Sequence, residues 1–294
     1  HIEVILSQMM NKVEIENVGD GLFLPGEVID KIEFHSANAK LSQSLKIADA
    51  GDTDLEVGQL ATKEEIEAAR RREPLDRLRE AATHRYDHRP FYDALKQPGP
   101  RGANIIAEIK RASPSKGPLR IDLNPADLAR AYAAGGAAAL SVLTDRDFFQ
   151  GSPEDLMVAR DAVPLPVLRK DFLISDYQIY ESGAMGADAV LLICRILSRP
   201  QLTDLLALSR SLGMDALVEI HTMEDLEMAQ TSGARLIGIN NRNLATFETD
   251  IRTAMAMAQR LSAGQIPVAA SGIAGIEDVE ANLAEGVFNF LIGE

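Results

Sequence analysis

The sequence has a single cysteine, no tryptophan and only 5% aromatic residues. One thiol cannot build an internal disulfide framework or a multi-cysteine metal site, and such sparing use fits a reducing compartment such as the cytoplasm. No apolar run approaches the roughly 18–20 residues needed to span a bilayer, and no signal-peptide pattern opens the chain. Positive charge is also short: 30 Lys and Arg stand against 44 Asp and Glu, a formal charge of −14. That balance argues against nucleic acid or an anionic membrane as partner, because phosphate contacts need a basic surface. Neither a glycine-rich dinucleotide fingerprint nor a Walker motif appears, so no nucleotide cofactor is expected, and no metal. What is present is 294 residues, 46% hydrophobic and 25% charged, enough for one large domain or two unequal ones. Beginning at His1 and stopping at Glu294, straight after an apolar strand-like run, the chain is expected to be a fragment at both ends.

Two regions read differently. Residues 1–62 carry short β-type runs broken by Gly-Asp turns, and they contain an internal repeat. Val13-Glu14-Ile15-Glu16-Asn17-Val18-Gly19-Asp20 lines up with Leu45-Lys46-Ile47-Ala48-Asp49-Ala50-Gly51-Asp52. From about residue 63 the pattern turns helical, with Pro74 breaking or restarting the helix. A polar link, His84 to Pro90, leads into a regular alternation. Apolar strand-like runs fall at 104–110, 139–144, 167–172, 187–193, 216–220, 236–240, 268–271 and 288–292. Amphipathic helical stretches lie between them, at 125–134, 201–212 and 250–261 among others. Many end in glycine, as at Gly136, Gly186, Gly213, Gly233 and Gly286, where a helix C-terminus wants a left-handed residue. Continuous Val/Ile/Leu/Ala runs are the mark of parallel strands buried on both faces. Eight of them alternating with helices predict an α/β fold, a (β/α)8 barrel over 63–294, with a doubly wound open sheet as the alternative.

In such a barrel the chemistry sits at the C-terminal ends of the strands. The first strand carries Glu108 and Lys110, two residues apart and therefore on one side. The third ends with Lys170, the fifth with Glu219. A charge inside an apolar strand is costly unless it is paired or functional, and a lone one would read as a structural ion pair. Four such residues at equivalent depth predict a general acid/base constellation of two ammonium and two carboxylate groups. After the last two strands, Gly272 and Gly293 would free backbone N–H groups for a phosphate. Cys194 ends an apolar strand and reads as a buried small hydrophobe. His84 and His88 would share a face only if helical.

At these residues the chain resembles the indole-3-glycerol phosphate synthases, the decarboxylating, ring-closing carbon–carbon lyases of tryptophan biosynthesis. The match is strongest at Ala107-Glu108-Ile109-Lys110-Arg111-Ala112-Ser113-Pro114-Ser115-Lys116-Gly117. It continues through Leu143-Thr144-Asp145, Phe149-Gln150-Gly151-Ser152, Leu168-Arg169-Lys170-Asp171-Phe172, Leu217-Val218-Glu219-Ile220, Gly238-Ile239-Asn240-Asn241-Arg242-Asn243-Leu244 and Ser271-Gly272-Ile273. The resemblance implies a substrate made of an anthranilate joined through nitrogen to a deoxyribulose 5-phosphate. It implies Lys170 as the acid that protonates the sugar carbonyl and Glu219 as acid or base in the dehydration. Glu108 and Asn240 would position hydroxyls, and Lys110 and Arg242 would face the anionic groups. Ser113 would help hold the carboxylate, Phe172 would pack on the ring, and Ser271, Gly272 and Gly293 would cradle the phosphate. The chain departs from the family pattern at Ala270, where a glutamate is usual, and in stopping before a last loop and helix, so the barrel is expected to lack its eighth helix.

Residues 1–62 are instead similar to a C-terminal stretch of the bacterial RNA polymerase β′ subunit, at His1 to Val13 and Phe23-Leu24-Pro25-Gly26-Glu27, which suggests a chimera. Two other functions stay open. One is a sugar-phosphate isomerase of related barrels, for which a Cys/Asp or Asp/Asp pair would be expected. The other is an inactive fragment related to the polymerase. A phosphorylated small molecule is the expected partner, and a monomer is one of the states the sequence allows.

Overall fold

The computed structural model describes residues 53–113, 117–120, 122–240, 251–271, 273 and 275–293, with the backbone alone over 53–62 and 251–254. The repeat and turns expected within 1–62 lie outside the described residues as far as residue 52. Residues 53–62, expected to belong to the strand-rich segment, are helical instead. Helix α1 (Thr53–Arg72) runs straight across the expected boundary. The run Ala61 to Ala69 consists largely of strong helix formers, and their propensity extends the helix back past the composition change. Pro74 then stops it. Its extended backbone, φ −65° and ψ 140°, opens helix α2 (Leu75–Thr83). His84 closes α2 and His88 lies beyond it, so the two histidines share no helical face.

Eight parallel strands follow: β1 (Asn104–Ile109), β2 (Ala139–Leu143), β3 (Val167–Lys170), β4 (Ala189–Ile193), β5 (Asp215–Ile220), β6 (Leu236–Ile239), β7 (Ile266–Ala269) and β8 (Asn289–Ile292). They close on themselves in sequence order, β8 pairing with β1 from Asn104↔Asn289 to Ala107↔Ile292. The architecture is therefore the closed barrel and not the open sheet. At the closing seam the Asn104 amide donates to Asn289 Oδ1 at 2.9 Å, satisfying two polar side chains that the barrel buries. Helix α3 (Phe91–Leu95) precedes β1. Helices α4 (Pro125–Ala134), α5 (Pro153–Ala162), α6 (Asp176–Ala184), α7 (Arg199–Ser211), α8 (Met223–Thr231), α9 (Ile251–Ala258) and α10 (Ile276–Ala284) occupy the successive connections. A short hairpin pairs Ala112–Ser113 with Gly117–Pro118 just after β1. Gly136 and Gly213 follow their helices with φ of 85° and 75°, the left-handed backbone that a side chain would strain.

The two ends of the barrel carry different polar networks. Beside the N-terminal end of β4, Asp188 is fully buried. Its carboxylate takes ion pairs from Arg85 and Arg160, together with amide N–H bonds from Arg89 and Val167, both at 3.0 Å. Arg85 and Arg160 are themselves 93% buried at the side chain, and Asp87 accepts from both. Arg89 donates to the carbonyls of Arg160, Val163 and Leu165. The loop before α3, helix α5 and the starts of β3 and β4 are thus tied to one carboxylate.

At the opposite end, Glu65 of α1 comes close to Asp145, Asp147 and Asp171, on the connections that leave β2 and β3. Burial first, and then Asp145 and Asp171, push the Glu65 carboxyl up to about 7. Burial and Asp171 raise Asp145 to about 7 against two opposing hydrogen bonds, from the amides of Phe148 at 2.7 Å and Phe149 at 3.2 Å. Both groups hold a proton in the folded chain at pH values where the unfolded chain has released it. Stability therefore falls as pH rises from the ordinary carboxylate range through about 7.

Two outcomes are expected. Asp188→Ala leaves Arg85 and Arg160 buried without their shared carboxylate and should cost about 3–5 kcal/mol, read from the urea midpoint at constant slope. Asp145→Asn keeps an acceptor for both amides while removing the charge. It should raise Tm at pH 8 by about 2–4 °C and flatten the fall of Tm between about pH 6 and 8; an unchanged slope would contradict the account.

Candidate active site

The charged residues of β1, β3 and β5 stand at the C-terminal ends of their strands, and side-chain alternation turns them to one face of the sheet. Glu108 is buried next to the end of β1, and Lys110 Nζ lies 3.2 Å from its Oε1, with the lysine side chain only 11% exposed. Gly293 stands one residue beyond β8, level with Glu108 in the register that pairs Ala107 with Ile292. A Cβ at 293 would lie 2.9 Å from Glu108 Cβ and 3.0 Å from its Cδ. Glycine is required there by the approach of the glutamate, a reason separate from the phosphate contact expected for it.

Lys170 ends β3. Among the described residues it makes no ion pair, which sets it apart from Lys110. Its neighbours hold the strand end from the outside. Arg169, 95% buried at the side chain, pairs with Asp171 at 3.0 Å and with Glu181 of α6 at 2.8 Å. It also donates to Thr144 Oγ1 at 3.1 Å and Ser182 Oγ at 3.0 Å. Thr144 in turn donates to Asp171 Oδ2 at 2.5 Å. Just after β3, half-buried Phe172 meets Phe148 edge-on, with centroids 6.0 Å apart and planes at 80°, and lies 6.3 Å from Phe149. This apolar wall stands over the mouth on the side of β2 and β3, where Asp145 pins the two phenylalanine amides.

On β5, Glu219 is 6% exposed. Asn240, directly after β6, donates from Nδ2 to Glu219 Oε1 at 3.1 Å, and Ser271, after β7, donates to Asn240 Oδ1 at 2.7 Å. Three consecutive strands thus supply a Ser–Asn–Glu chain in which the asparagine amide has one orientation. Gly238, level with Glu219, leaves room for Leu217, whose Cγ would be 3.3 Å from a Cβ there. Ser271, expected in the phosphate cradle, stands in this chain on the acid/base side. Ser113 is buried in the hairpin beyond β1. Arg242 and Gly272 lie outside the described residues. Cys194 is buried, and burial first, then Asp225 and Glu219, push its thiol up to about 12, which leaves it unsuited to nucleophilic work.

Several residues of the site escaped the sequence reading. Phe148 and Phe149 complete the aromatic wall. Arg111 forms a two-pronged pair with Asp155 of α5 at 2.9 and 2.8 Å, anchoring the hairpin after β1. Arg169 would have been found by the rule that found Lys170, a charge within an apolar strand, applied to the opposite parity.

The arrangement can do acid/base chemistry on an anionic, partly aromatic molecule: one ammonium without an ion pair among the described residues, one ammonium–carboxylate pair, one carboxylate held by an amide, and an apolar wall beside them. Comparison with known proteins points the same way. The family model described as indole-3-glycerol phosphate synthase matches residues 59–294. The chain is 56% identical over 232 residues to "Indole-3-glycerol phosphate synthase" of Desulfosudis oleivorans, covering 79% of this chain and 88% of that one. It is 50% identical to the protein of that name from Syntrophobacter fumaroxidans, with the same coverage, and 49% identical to that of Chromobacterium violaceum, over 80% and 89% of the two chains. Among solved structures, the N-acetylmannosamine-6-phosphate 2-epimerase of Clostridium perfringens superposes with a TM-score of 0.53 at 14% identity, over 71% of this chain and 91% of its own, a likeness of fold alone. With the family model spanning the whole barrel and relatives above 45% identity along it, this chain belongs to the indole-3-glycerol phosphate synthase family.

Proposed function

We propose that the barrel closes the indole ring of 1-(2-carboxyphenylamino)-1-deoxyribulose 5-phosphate, with loss of carbon dioxide and water, at the mouth formed by β1, β3, β5 and β6. The observation that carries the residue roles is the contrast between the two lysines: Lys110 is paired with Glu108 at 3.2 Å, whereas Lys170 has no carboxylate partner among the described residues. An ammonium already neutralised by a carboxylate favours orientation and charge balance. An unpaired one is available to give its proton to a carbonyl oxygen.

Lys170 accordingly protonates the sugar carbonyl as the ring carbon bearing the carboxylate attacks it. The new C–C bond makes that carbonyl carbon a carbinol. The C–CO2 bond then breaks, and its electron pair restores the aromatic ring. In the last step the hydroxyl leaves as water with a proton from an ammonium of the mouth, and the neighbouring methylene loses its proton to Glu219. Glu108 and Asn240 position hydroxyls, Lys110 and Arg242 balance anionic charge, and Ser113 contacts the carboxylate. Phe172, with Phe148 and Phe149 behind it, takes the aromatic ring edge or face. Backbone N–H groups near Gly272 and Gly293, with that of Ser271, whose hydroxyl is engaged by Asn240, take the phosphate.

We further read the partner as this phosphorylated small molecule, with no nucleic acid, membrane or cofactor in the reaction, a monomer as sufficient, and the cytoplasm as its place. The charge of −14 supports the exclusion of polyanionic surfaces, and among the described residues no helix is long and apolar enough to cross a membrane. The polymerase-like segment before residue 63 has no assigned part in this chemistry, and as far as residue 52 it lies outside the described residues.

The test is indole fluorescence from that substrate, with Lys170→Ala alongside. Turnover should fall roughly 10²–10⁴-fold in the variant while the Tm stays within about 2 °C. Equal rates for the two proteins would remove Lys170 from the chemistry. Absence of turnover in both would defeat the functional reading.

A further inference from the structure

Beside Glu219 lies an ionisable side chain with no role so far. His221 is one residue past the end of β5 and shares the parity of Glu219, so both side chains leave the strand on one side. Its Nε2 is 3.5 Å from Glu219 Oε1, and its side chain is only 6% exposed. Neither ring nitrogen has a hydrogen-bond partner among the described residues. A buried imidazole with both nitrogens unsatisfied is rare unless the missing bond forms at another stage of the working cycle.

The backbone holds this ring in place. The His221 N–H donates to Asp225 Oδ2 at 2.8 Å, and Thr222 forms a reciprocal cap with the same aspartate at the start of α8. These bonds fix the backbone from which the buried ring projects. Among the described residues, the neighbours that bear on this ring and on Glu219 are these. Asp225 of α8 has its Oδ2 taken by two amides, and Cys194 from the turn after β4 gives its Sγ to the Asp225 carbonyl at 3.6 Å. From β6, Asn240 donates to the same Glu219 Oε1 that His221 faces. This oxygen therefore has a closed hydrogen bond on one side and one about half an ångström too long on the other. Catalytic contacts are often long without substrate and tighten when it binds.

Resting on the function assigned above, we propose that His221 is a positioning residue of this site: its Nε2 closes onto Glu219 Oε1 as substrate binds and, opposite Asn240, fixes the carboxylate in the rotamer from which it takes the methylene proton. His221 does not touch the reacting atoms and acts only through Glu219.

The test is a set of full-chain variants assayed by indole fluorescence, with KM, kcat and Tm for each. His221→Leu should lower kcat about tenfold with KM within about twofold, because the loss falls on proton transfer and not on binding. His221→Gln, whose amide can donate toward the same oxygen, should restore kcat to within about threefold of the original. In a Glu219→Gln background, His221→Leu should change the residual kcat by less than about twofold, as expected of a residue acting through its neighbour. Should His221→Leu lower Tm, His221→Asn, polar but too short to reach Oε1, must show the same kcat loss. A kcat unchanged in both Leu and Asn variants, or a loss of equal size in the Glu219→Gln background, would overturn the proposal. So would a fall in kcat matched by a rise in KM. Turnover that ignores His221 would defeat this proposal alone, whereas absence of turnover in the unsubstituted chain would defeat the functional reading beneath it.

Discussion

An ionised side chain at the end of a closed barrel loses water on every side except along the barrel axis, and this chain meets that constraint in opposite ways at its two ends. Near the start of β4, Asp188 has no exposure and is surrounded by two guanidinium groups and two amides. Each charge there is answered by another, so the cluster fixes geometry and offers nothing to a ligand. At the ends of β1, β3 and β5 the answers are incomplete. Lys110 has Glu108, Glu219 has Asn240, and Lys170 has no charged partner among the described residues. Groups held in place but left partly unsatisfied are what a substrate can complete.

Strand β3 shows how closely the two requirements are joined. Arg169 and Lys170 are consecutive, so alternation sends one outward to α6 and the other inward to the mouth. The outward arginine is bound by Asp171, Glu181, Thr144 and Ser182, which ties β2, β3 and α6 together at the level where Lys170 emerges. Asp171 also accepts the hydrogen bond of Thr144 and contributes to the raised pKa values of Asp145 and Glu65. One strand end thus fixes the place where Lys170 emerges and, through the bond from the Phe172 amide to Asp171, the start of the aromatic wall. A change at any of these positions acts on the others through short, buried contacts rather than through the bulk of the fold.

The barrel was legible because its signals are local and repeated: continuous apolar runs, amphipathic stretches between them and glycines at helix ends. The stretch 125–134 became α4 with the same limits, and its terminal glycine has the left-handed backbone expected. Helix α1 was not legible at its start, because composition changed near residue 62 while helix propensity extended across the change. Within the site, the strand-end charges could be read from parity, and Asn240 and Ser271 came from motif resemblance. Their chain to Glu219 could not be foreseen, since it joins three strands across 52 residues and depends on barrel register. Gly293 shows a different difficulty. A glycine at a phosphate loop and a glycine making room for a carboxylate look the same in sequence, and only the position of Glu108 separates the two.

The overall charge of −14 stands opposed to a substrate that carries both a carboxylate and a phosphate. Distance and screening resolve the opposition. At physiological ionic strength the field of an exposed charge fades over about 8 Å, so surface carboxylates on the far helices act weakly at the mouth. Lys110 is nine-tenths buried and is screened far less, and Lys170 stands at the same end of the ring. Two ammonium groups at contact range in a site of lowered dielectric outweigh many more anions at several Debye lengths. In the proposed reading the acidic surface has a use of its own: it disfavours extended polyanions, whose charge is spread along the surface, while a small anion that reaches the mouth meets the lysines first. On the partner reading proposed above, selection between small and large phosphate-bearing molecules follows from where the few positive charges stand, not from how many there are.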